Sequence, residues 1–335
     1  MFVPEKNILK INLKEINEEI EKINQIYLIR FENLFIEYLK IYNHKSIFED
    51  ISFKMIYEDN LIICPLTVEK NLINERILNY YGYPFEFFSK KKIDKKLETK
   101  LLIYLLKVFE KNNITKINMR VKQCPDILHD LQKYKTCPHL VAVSKDRFVN
   151  INKQNIEILK GFSTGLRNEL KKNYAGVEYN LINKDNYKKD LILEMMNLHQ
   201  KVSGTITRNK ESWIVNEKMI LDKKAFLISC HVNGQCISYN LFNHNNIGAS
   251  WFTSCTIREQ FNYVKNISSV AIWLAIKFAR DICTCSYFNL GAETIYSREI
   301  ISKKEKNIEF FKGKFKGTGD TYFAFDLLPT KLFYI

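Results

Sequence analysis

The chain has 335 residues, 46% hydrophobic and 26% charged, with a formal net charge of +14. This composition is typical of a globular chain with a large core, and the length suits two domains of common size. No stretch approaches the roughly 18 apolar residues of a membrane-spanning helix. The first thirty residues lack a signal-peptide apolar run, so we predict a cytoplasmic protein. The basic surplus favours an anionic partner, which stays open among a nucleotide, a CoA, a tRNA and a membrane surface.

The first half of the sequence predicts a meander of three strands, then a helix and two further strands. Short apolar runs bounded by turn residues predict the strands. The helix has apolar residues at helical spacing and ends at Asn-Asn. The predicted strands are 51–59, 60–68, 75–83, 115–121 and 139–151, and the predicted helix is 98–113.

The same order of elements returns in the second half, after helical stretches at 154–175 and 185–203. Two strands that flank a helix imply a locally parallel pair within an otherwise antiparallel sheet. We therefore predict an α/β (α+β) chain of two copies of one unit, 1–155 and 156–335, with a cleft between them. The second set of predicted strands is 224–232, 235–243, 246–254, 285–291 and 321–329, around a helix at 268–282.

Three segments carry a resemblance to a known family: GFSTGLRNELKKNYAGV (161–177), LHQKVSGTITRNKESW (198–213) and the terminal YFNLGAE…IEFFKGKFKG (287–317). From about residue 30 to the end, the chain resembles tandem GNAT (GCN5-related acyltransferase) domains of the FemAB type. The resemblance implies two GNAT-like domains, each a mixed, mostly antiparallel sheet flanked by helices. The C-terminal domain would carry most of the donor site.

The sequence also departs from the family pattern. The pyrophosphate-binding loop of simple GNAT enzymes is replaced by TIREQFNYVKN (256–266), and there is no long coiled-coil arm of the kind that some tRNA-using members carry. The resemblance implies an acyltransferase that moves an acyl group, acetyl from acyl-CoA, to an amine or hydroxyl of a cell-envelope glycan or nucleotide-sugar precursor. An aminoacyl-tRNA donor stays open, as does a non-catalytic basic module that binds RNA or another anion. A peripheral membrane contact stays open too.

Three residues are candidates for catalysis. By resemblance, Lys312 lies near the transfer centre, and flanking phenylalanines (Phe310, Phe311 and Phe315), which we expect to be buried, would strengthen its pull on an oxyanion. The alternative is a solvated lysine. Glu293, just after a strand-end glycine, and His199, on a helix, are candidate general bases, although a packed histidine is the simpler interpretation of His199.

The candidate binding residues fall into two groups. Arg208 follows a helix end and could hold a carboxylate or diphosphate bidentately; Trp251 and Asn289 lie on the two strands that should splay around the acyl donor. The aromatic segment YYGYPFEFF either lines a substrate-binding site or packs in the core between the domains. The substrate-binding candidates are Arg208, Tyr80, Tyr81, Tyr83, Trp251 and Asn289, and the cofactor-binding candidates are Asn266, Ser268 and Ser269, at a helix N-terminus where donor phosphates could rest. For Ser268, a simple N-cap is the alternative.

The eight cysteines do not predict a metal site. Most lie in apolar runs, where a thiol is a small core side chain. The tightest group, Cys124, His129, Cys137 and His139, does not have zinc-finger spacing.

Overall fold

The computed structural model describes residues 8–23, 32–91, 93–122, 136–259, 261 and 263–329. Within these ranges the chain forms nine helices and fifteen strands. The helices are α1 (Leu13–Ile23), α2 (Asn33–Tyr42), α3 (Lys95–Lys111), α4 (Asn155–Gly161), α5 (Thr164–Leu170), α6 (Leu191–Ser203), α7 (Lys210–Leu221), α8 (Ile267–Asp281) and α9 (Lys303–Gly313). The strands of the first half are β1 (Ile8–Lys10), β2 (Ile47–Asp50), β3 (Phe53–Tyr57), β4 (Asn60–Cys64), β5 (Thr67–Lys70), β6 (Arg76–Asn79), β7 (Phe88–Ser89), β8 (Lys116–Val121) and β9 (Thr136–Asn150). Those of the second half are β10 (Val177–Ile182), β11 (Ala225–Val232), β12 (Gln235–His244), β13 (Gly248–Thr256), β14 (Tyr287–Ser297) and β15 (Thr321–Pro329).

An eleven-stranded sheet runs through both halves, in the order β10-β11-β12-β13-β14-β9-β15-β8-β6-β5-β2. A smaller sheet has the order β1-β3-β4-β7. Among the described strand pairs, β6 with β8 and β13 with β14 are parallel, and the others are antiparallel. Each parallel pair flanks a helix, α3 or α8, so the predicted doubled unit and its two local parallel pairs are confirmed. The predicted first meander is wrong in its strands: β2, β5 and β6 form it, whereas 51–59 and the first part of 60–68 become β3 and β4 of the smaller sheet.

The last strand of each copy lies beside the other copy. β9 closes the first copy in sequence, yet it pairs with β14 of the second. β15 closes the second copy and pairs with β8 of the first. Because β9 and β15 also pair with each other, the sheet is continuous across the middle of the molecule. A division at residue 155 is thus crossed by both closing strands.

The large sheet buries apolar side chains on both faces. One cluster holds side chains from α2, α6 and α7, and the other packs α8 against β11, β12 and β14. Alanines at 271, 275 and 279 lie one turn apart on α8, so small side chains face the sheet and let the helix approach closely. The first cluster also contains side chains of the first half, so the two halves share a core.

The connection between α6 and α7 positions the arginine predicted to bind substrate. Gly204 ends α6 with φ +72°, a left-handed conformation that suits glycine. Asn209 caps α7, since its side chain accepts a hydrogen bond from the Ser212 backbone N–H. Its amide Nδ2 also donates to the Ile41 carbonyl at the end of α2, 3.0 Å away. Arg208, directly before this cap, is thereby fixed where α2, α7 and the sheet meet.

Candidate functional site

The parallel strands β13 and β14 pair over only three residues and then separate. Gly248, Ala249 and Ser250 pair with Tyr287, Phe288 and Asn289. From Ala292 onward, β14 pairs only with β9, on its other side. On β13, a register shift relative to β12 leaves Phe252 as the extra residue of a bulge. The predicted splay is confirmed. It opens a wedge between the strands, with backbone groups that do not bond to each other.

Lys312 lies over this wedge. Its Nζ donates to the Ala292 carbonyl, 3.3 Å away. Gly291 has φ +83°, and a Cβ built there would lie 2.9 Å from the Lys312 Nζ. The Asn289 side chain holds the same turn by accepting from the Gly291 N–H at 2.7 Å. Burial lowers the pKa of Lys312, Glu309 opposes that shift, and the Arg147 guanidinium adds to it.

The phenylalanines around Lys312 differ in their burial. Phe315 is buried, as predicted, and its ring centroid lies 5.6 Å from that of Phe311. Phe311 is half-buried and contacts the Trp251 ring at 5.8 Å. Phe310 is 75% exposed, so its predicted burial is wrong. Phe311 and Phe315 are four residues apart and share the inner face, whereas Phe310 is turned to the outer face of α9.

Glu293 forms an ion pair with Arg147 of β9. Both side chains are mostly shielded from water, with 32% and 14% exposed. The carboxylate is therefore already engaged by a cation beside the wedge. To act as a general base it would have to give up that contact, and its catalytic role stays a prediction.

Arg208 carries a desolvated charge with free donors. Its Nη2 donates to the Thr253 hydroxyl at 3.2 Å. Its Nε and Nη1 are buried and have no hydrogen-bond partner in the described part of the chain. The guanidinium lies 4.8 Å from the Trp213 ring centroid, and Tyr38 of α2 is close enough that Arg208 lowers its pKa, although burial raises that pKa more. Buried donors without partners are costly, which favours an anion at this place.

His199 lies beside Arg208. Its ring contacts Trp213 at a centroid distance of 5.5 Å, and its Nδ1 lies 3.4 Å from the Thr207 hydroxyl. Burial lowers the pKa of His199, and the positive charges of Arg208 and Lys304 lower it further. The neutral form of the imidazole is therefore favoured, and its role as a general base stays a prediction.

Trp251 offers a further buried donor at the wedge. Its indole Nε1 has no partner in the described part of the chain. The ring is half-buried at the register position of Phe242, one residue before the β13 bulge. Because indole N–H groups usually find an acceptor when buried, this one is available to a carbonyl or phosphate oxygen of a ligand.

The aromatic segment of the first half separates into buried and exposed residues. Tyr80 and Tyr81 are each 1% exposed, and their rings contact each other at 5.1 Å. They are core residues and do not face a ligand. Tyr83 is 43% exposed and close enough to Tyr38 to affect its pKa, so this tyrosine lies near the Arg208 region.

The predicted phosphate position at the start of α8 is occupied by the protein itself. Asn266 Nδ2 donates to the carbonyls of Glu169 and Lys172, at 2.9 and 3.0 Å. Ser269 Oγ donates to the Glu169 carboxylate at 2.9 Å, and Lys314 Nζ bonds its other oxygen at 2.6 Å. The C-terminal end of α5 therefore covers the α8 N-terminus with a carboxylate. Ser268 is half-buried beside it.

Sequence reasoning missed Arg147, Glu169, Thr253 and Tyr38. The only signal for Arg147 in the sequence is that a charged side chain lies in a predicted strand. Glu169 reaches Ser269 across 100 positions in sequence, so local patterns carried no sign of it.

Neither a metal site nor a membrane span is found within the described ranges. No three histidine, cysteine or acidic side chains there are grouped as metal ligands would be. Cys124 and His129 lie outside the described residues, as does the side chain of Cys137. None of the described helices is long and apolar enough to cross a membrane.

The comparisons with known proteins identify the fold. No family model and no curated protein matches the sequence. Among solved structures, FemX matches with a TM-score of 0.66 and 10% identity, over 97% of this chain and 98% of that chain. A tandem GNAT protein from the clavulanic acid biosynthesis pathway matches with 0.54 and 7%, over 97% and 98%. A GCN5-related N-acetyltransferase from Sphaerobacter thermophilus matches with 0.51 and 7%, over 95% and 94%. The chain has a tandem GNAT, FemAB-like fold, as the resemblance predicted.

Proposed function

We propose that the chain is an acyltransferase that works at the wedge between β13 and β14. The observation that carries the proposal is the set of donors without partners around this opening: Arg208 Nε and Nη1, and Trp251 Nε1. Other buried polar atoms of the described residues also lack partners, for example on Asn216 and Asn243. The three donors are distinguished by their place beside the strand separation, where a ligand can complete them. The GNAT fold of its structural relatives agrees with a transferase.

In the reaction we infer, an amine or hydroxyl of the acceptor attacks the carbonyl carbon of the donor directly. Arg208 binds an anionic group of the acceptor and so positions the nucleophile. Neutral His199, close to Arg208, accepts the proton that the nucleophile loses. Negative charge that develops on the carbonyl oxygen is stabilised by the Lys312 ammonium and the Trp251 N–H. The carbonyl then re-forms as the bond to the leaving group breaks, and that group takes up a proton.

The acceptor class follows from Arg208. A guanidinium whose buried Nε and Nη1 have no partner in the described part of the chain fits a phosphate or carboxylate, which nucleotide-sugar and lipid-linked glycan precursors carry. We therefore propose a cell-envelope glycan or nucleotide-sugar precursor as acceptor. Both donor classes occur in the cytoplasm, and a cytoplasmic location is part of the proposal.

The donor is argued from the covered start of α8. For acyl-CoA to place its phosphates there, as the sequence predicted, the Glu169 carboxylate and its bonds to Ser269 and Lys314 would have to leave. An aminoacyl-tRNA brings its acyl ester on the end of a long nucleic acid and needs no phosphate site at that helix. The covered helix end thus favours aminoacyl-tRNA over acetyl-CoA, and the net charge of +14 agrees.

The donor is tested by incubating the purified protein separately with labelled acetyl-CoA and labelled aminoacyl-tRNA, each with a pool of nucleotide-sugar precursors. We expect transfer from the tRNA alone. Transfer from acetyl-CoA alone would overturn this donor and restore the acyl-CoA prediction.

The acceptor site is tested by changing Arg208 to Lys. Lysine keeps the charge but loses the bidentate fork, so we expect the KM for the acceptor to rise by about tenfold or more. The KM for the donor should stay the same. Equal changes in both constants would place Arg208 outside the acceptor site.

A non-catalytic anion-binding module is the competing interpretation of the charge. Such a module does not need donors buried at a strand wedge, and the charge alone supports it. Salt-dependent, sequence-independent RNA binding with no turnover of either donor would favour it.

A further inference from the structure

The outer face of α9 exposes apolar side chains among lysines. Ile300 is 98% exposed just before Ser302, the N-cap of the helix, and Phe310 is 75% exposed. Lys303 and Lys306 precede Phe310 by seven and four residues, so these three side chains share one helix face. We call Ile300, Lys303, Lys306 and Phe310 the α9 patch.

The charge around the patch is positive. The segment 298–316 has seven lysines and arginines against three glutamates. Two of the glutamates are engaged within the protein: Glu305 closes the capping box with Ser302, and Glu309 accepts from the Thr294 N–H at 2.9 Å. The side chains of Lys303, Lys304 and Lys306 are exposed, so the surface presents cations beside apolar tips.

The α9 patch borders the candidate site. On the inner side of the same helix, Lys312 lies over the wedge. Lys304 is close enough to His199 to lower its pKa. Ile206, which is 74% exposed, directly precedes Thr207, the residue in contact with His199. Exposed apolar and basic side chains therefore border the region of His199 and Arg208.

We propose that the α9 patch docks on an anionic membrane surface. Ile300 and Phe310 insert among the lipid head groups, and the lysines lie against lipid phosphates. RNA would use the lysines equally well, but a fully exposed isoleucine gains little from a nucleic-acid backbone. Docking presents the wedge to an acceptor anchored in the membrane, and this statement about the acceptor rests on the proposed function.

Another exposed apolar tip, in the loop between β5 and β6, supplies a matched control. Leu72 and Ile73 are each 73% exposed. Their segment, 69–76, has two acidic and two basic residues, so it lacks the positive charge. The two tips thus expose similar apolar side chains and differ in charge.

The test is flotation of the full chain with vesicles of phosphatidylcholine, with and without about 30% phosphatidylglycerol. We expect binding to the anionic vesicles only, weakened by salt. The double variant I300S/F310S should bind about tenfold more weakly, K303Q/K306Q should also lose binding, and L72S/I73S should bind like the wild type. Circular dichroism melts show whether each variant is folded.

Three outcomes would overturn the docking. They are no vesicle binding, equal binding to neutral and anionic vesicles, and an equal loss in L72S/I73S. RNA binding that I300S/F310S leaves intact, without vesicle binding, would assign the patch to RNA instead. Vesicle binding needs no turnover, so a protein that binds vesicles but transfers no acyl group would contradict the proposed function alone.

Discussion

The large sheet has two parallel strand pairs, β6 with β8 and β13 with β14, and we call each pair with the gap beside it a junction. The two junctions have the same topology, but the first gap is filled by the chain and the second is open. In the first, β6 and β8 pair at Ile77 and Leu78, and the chain then returns to fill the gap. Phe85 donates its N–H to the Asn118 carbonyl and accepts from the Arg120 N–H, so it bridges to β8. In the second junction, no described residue pairs with both strands in the equivalent place between β13 and β14, and the Lys312 ammonium bonds to the Ala292 carbonyl of β14.

The gap of the first junction is filled by side chains of the protein itself. In the first junction, Glu86 follows Phe85 and forms an ion pair with Arg120, 2.5 Å away. The Arg120 guanidinium also lies 4.1 Å from the Tyr322 ring centroid, on the exchanged strand β15. A gap filled in this way has no space for an acyl donor. We therefore propose that the second copy carries catalysis and that the first contributes stability.

The largest effect should come from emptying the first junction. Phe85 is 1% exposed, and changing it to Ala removes a ring that the surrounding strands cannot replace. We expect the free energy of unfolding to fall by about 3–5 kcal/mol, measured by denaturant titration. The kcat of the molecules that remain folded should be unchanged. A selective loss of kcat with normal stability would contradict the assignment of this junction to scaffold.

Changing Lys312 to Met tests the second junction. Methionine keeps much of the side-chain volume but removes the charge at the wedge, so kcat should fall by about 10²–10³-fold. Stability should barely change, because burial already disfavours the charged ammonium. Lys96 of the first copy is the control: it is 70% exposed on α3, and Lys96→Met should leave kcat as it is. Full activity of Lys312→Met would make this lysine a structural charge.

One glycine beside each junction provides a matched pair. Gly82 has φ +86° and Gly291 has φ +83°, and in both a Cβ would lie 2.9 Å from a polar side chain, Asn43 or Lys312. An alanine at either position should cost about 1–2 kcal/mol of stability because of the left-handed backbone. Only Gly291→Ala should also lower kcat, by about tenfold, because its methyl displaces the Lys312 ammonium. An equal effect of both variants on kcat would remove the distinction between the junctions.

Much of the fold could be predicted from the sequence because its local signals agree. The helix at 98–113 and the three strands from 224 to 254 have clear periods and turn residues, and the structure has them within a few residues. The strand exchange could not be predicted. Which strand lies beside β14 is decided by tertiary pairing, and 139–151 and 321–329 have the same apolar pattern.

Residues of the candidate site could be predicted where they follow the end of a helix or strand. Arg208 and Gly291 sit beside a helix stop and a strand end, and such positions are visible in sequence. The burial of Tyr80 and Tyr81 could not be predicted, because an aromatic run is equally typical of a substrate-binding surface and of a packed core. The Glu169 carboxylate at the start of α8 is a contact between distant segments, which no local pattern reveals.

The smallest expected effect is a change in the pKa of His199, which tests whether the start of α9 lies over the second junction. Burial, Arg208 and Lys304 all lower the pKa of His199 below its usual 6.5. The neutral form is therefore favoured in the folded state. The stability that neutral His199 contributes is complete above the pKa of the unfolded state and is lost as the pH falls through the pKa of the folded state.

Changing Lys304 to Gln removes one positive charge near His199. The pKa of His199 should therefore rise, and the acid side of the kcat/KM profile should move with it. Ring-proton NMR titration measures the first shift. His244 is the internal control, because burial and Lys224 lower its pKa to about 4, and Lys304→Gln should not change it. An unchanged pKa of His199 would mean that the charge at the start of α9 does not act on the second junction, and the connection of this helix to the site would then rest on Lys312 and Phe311.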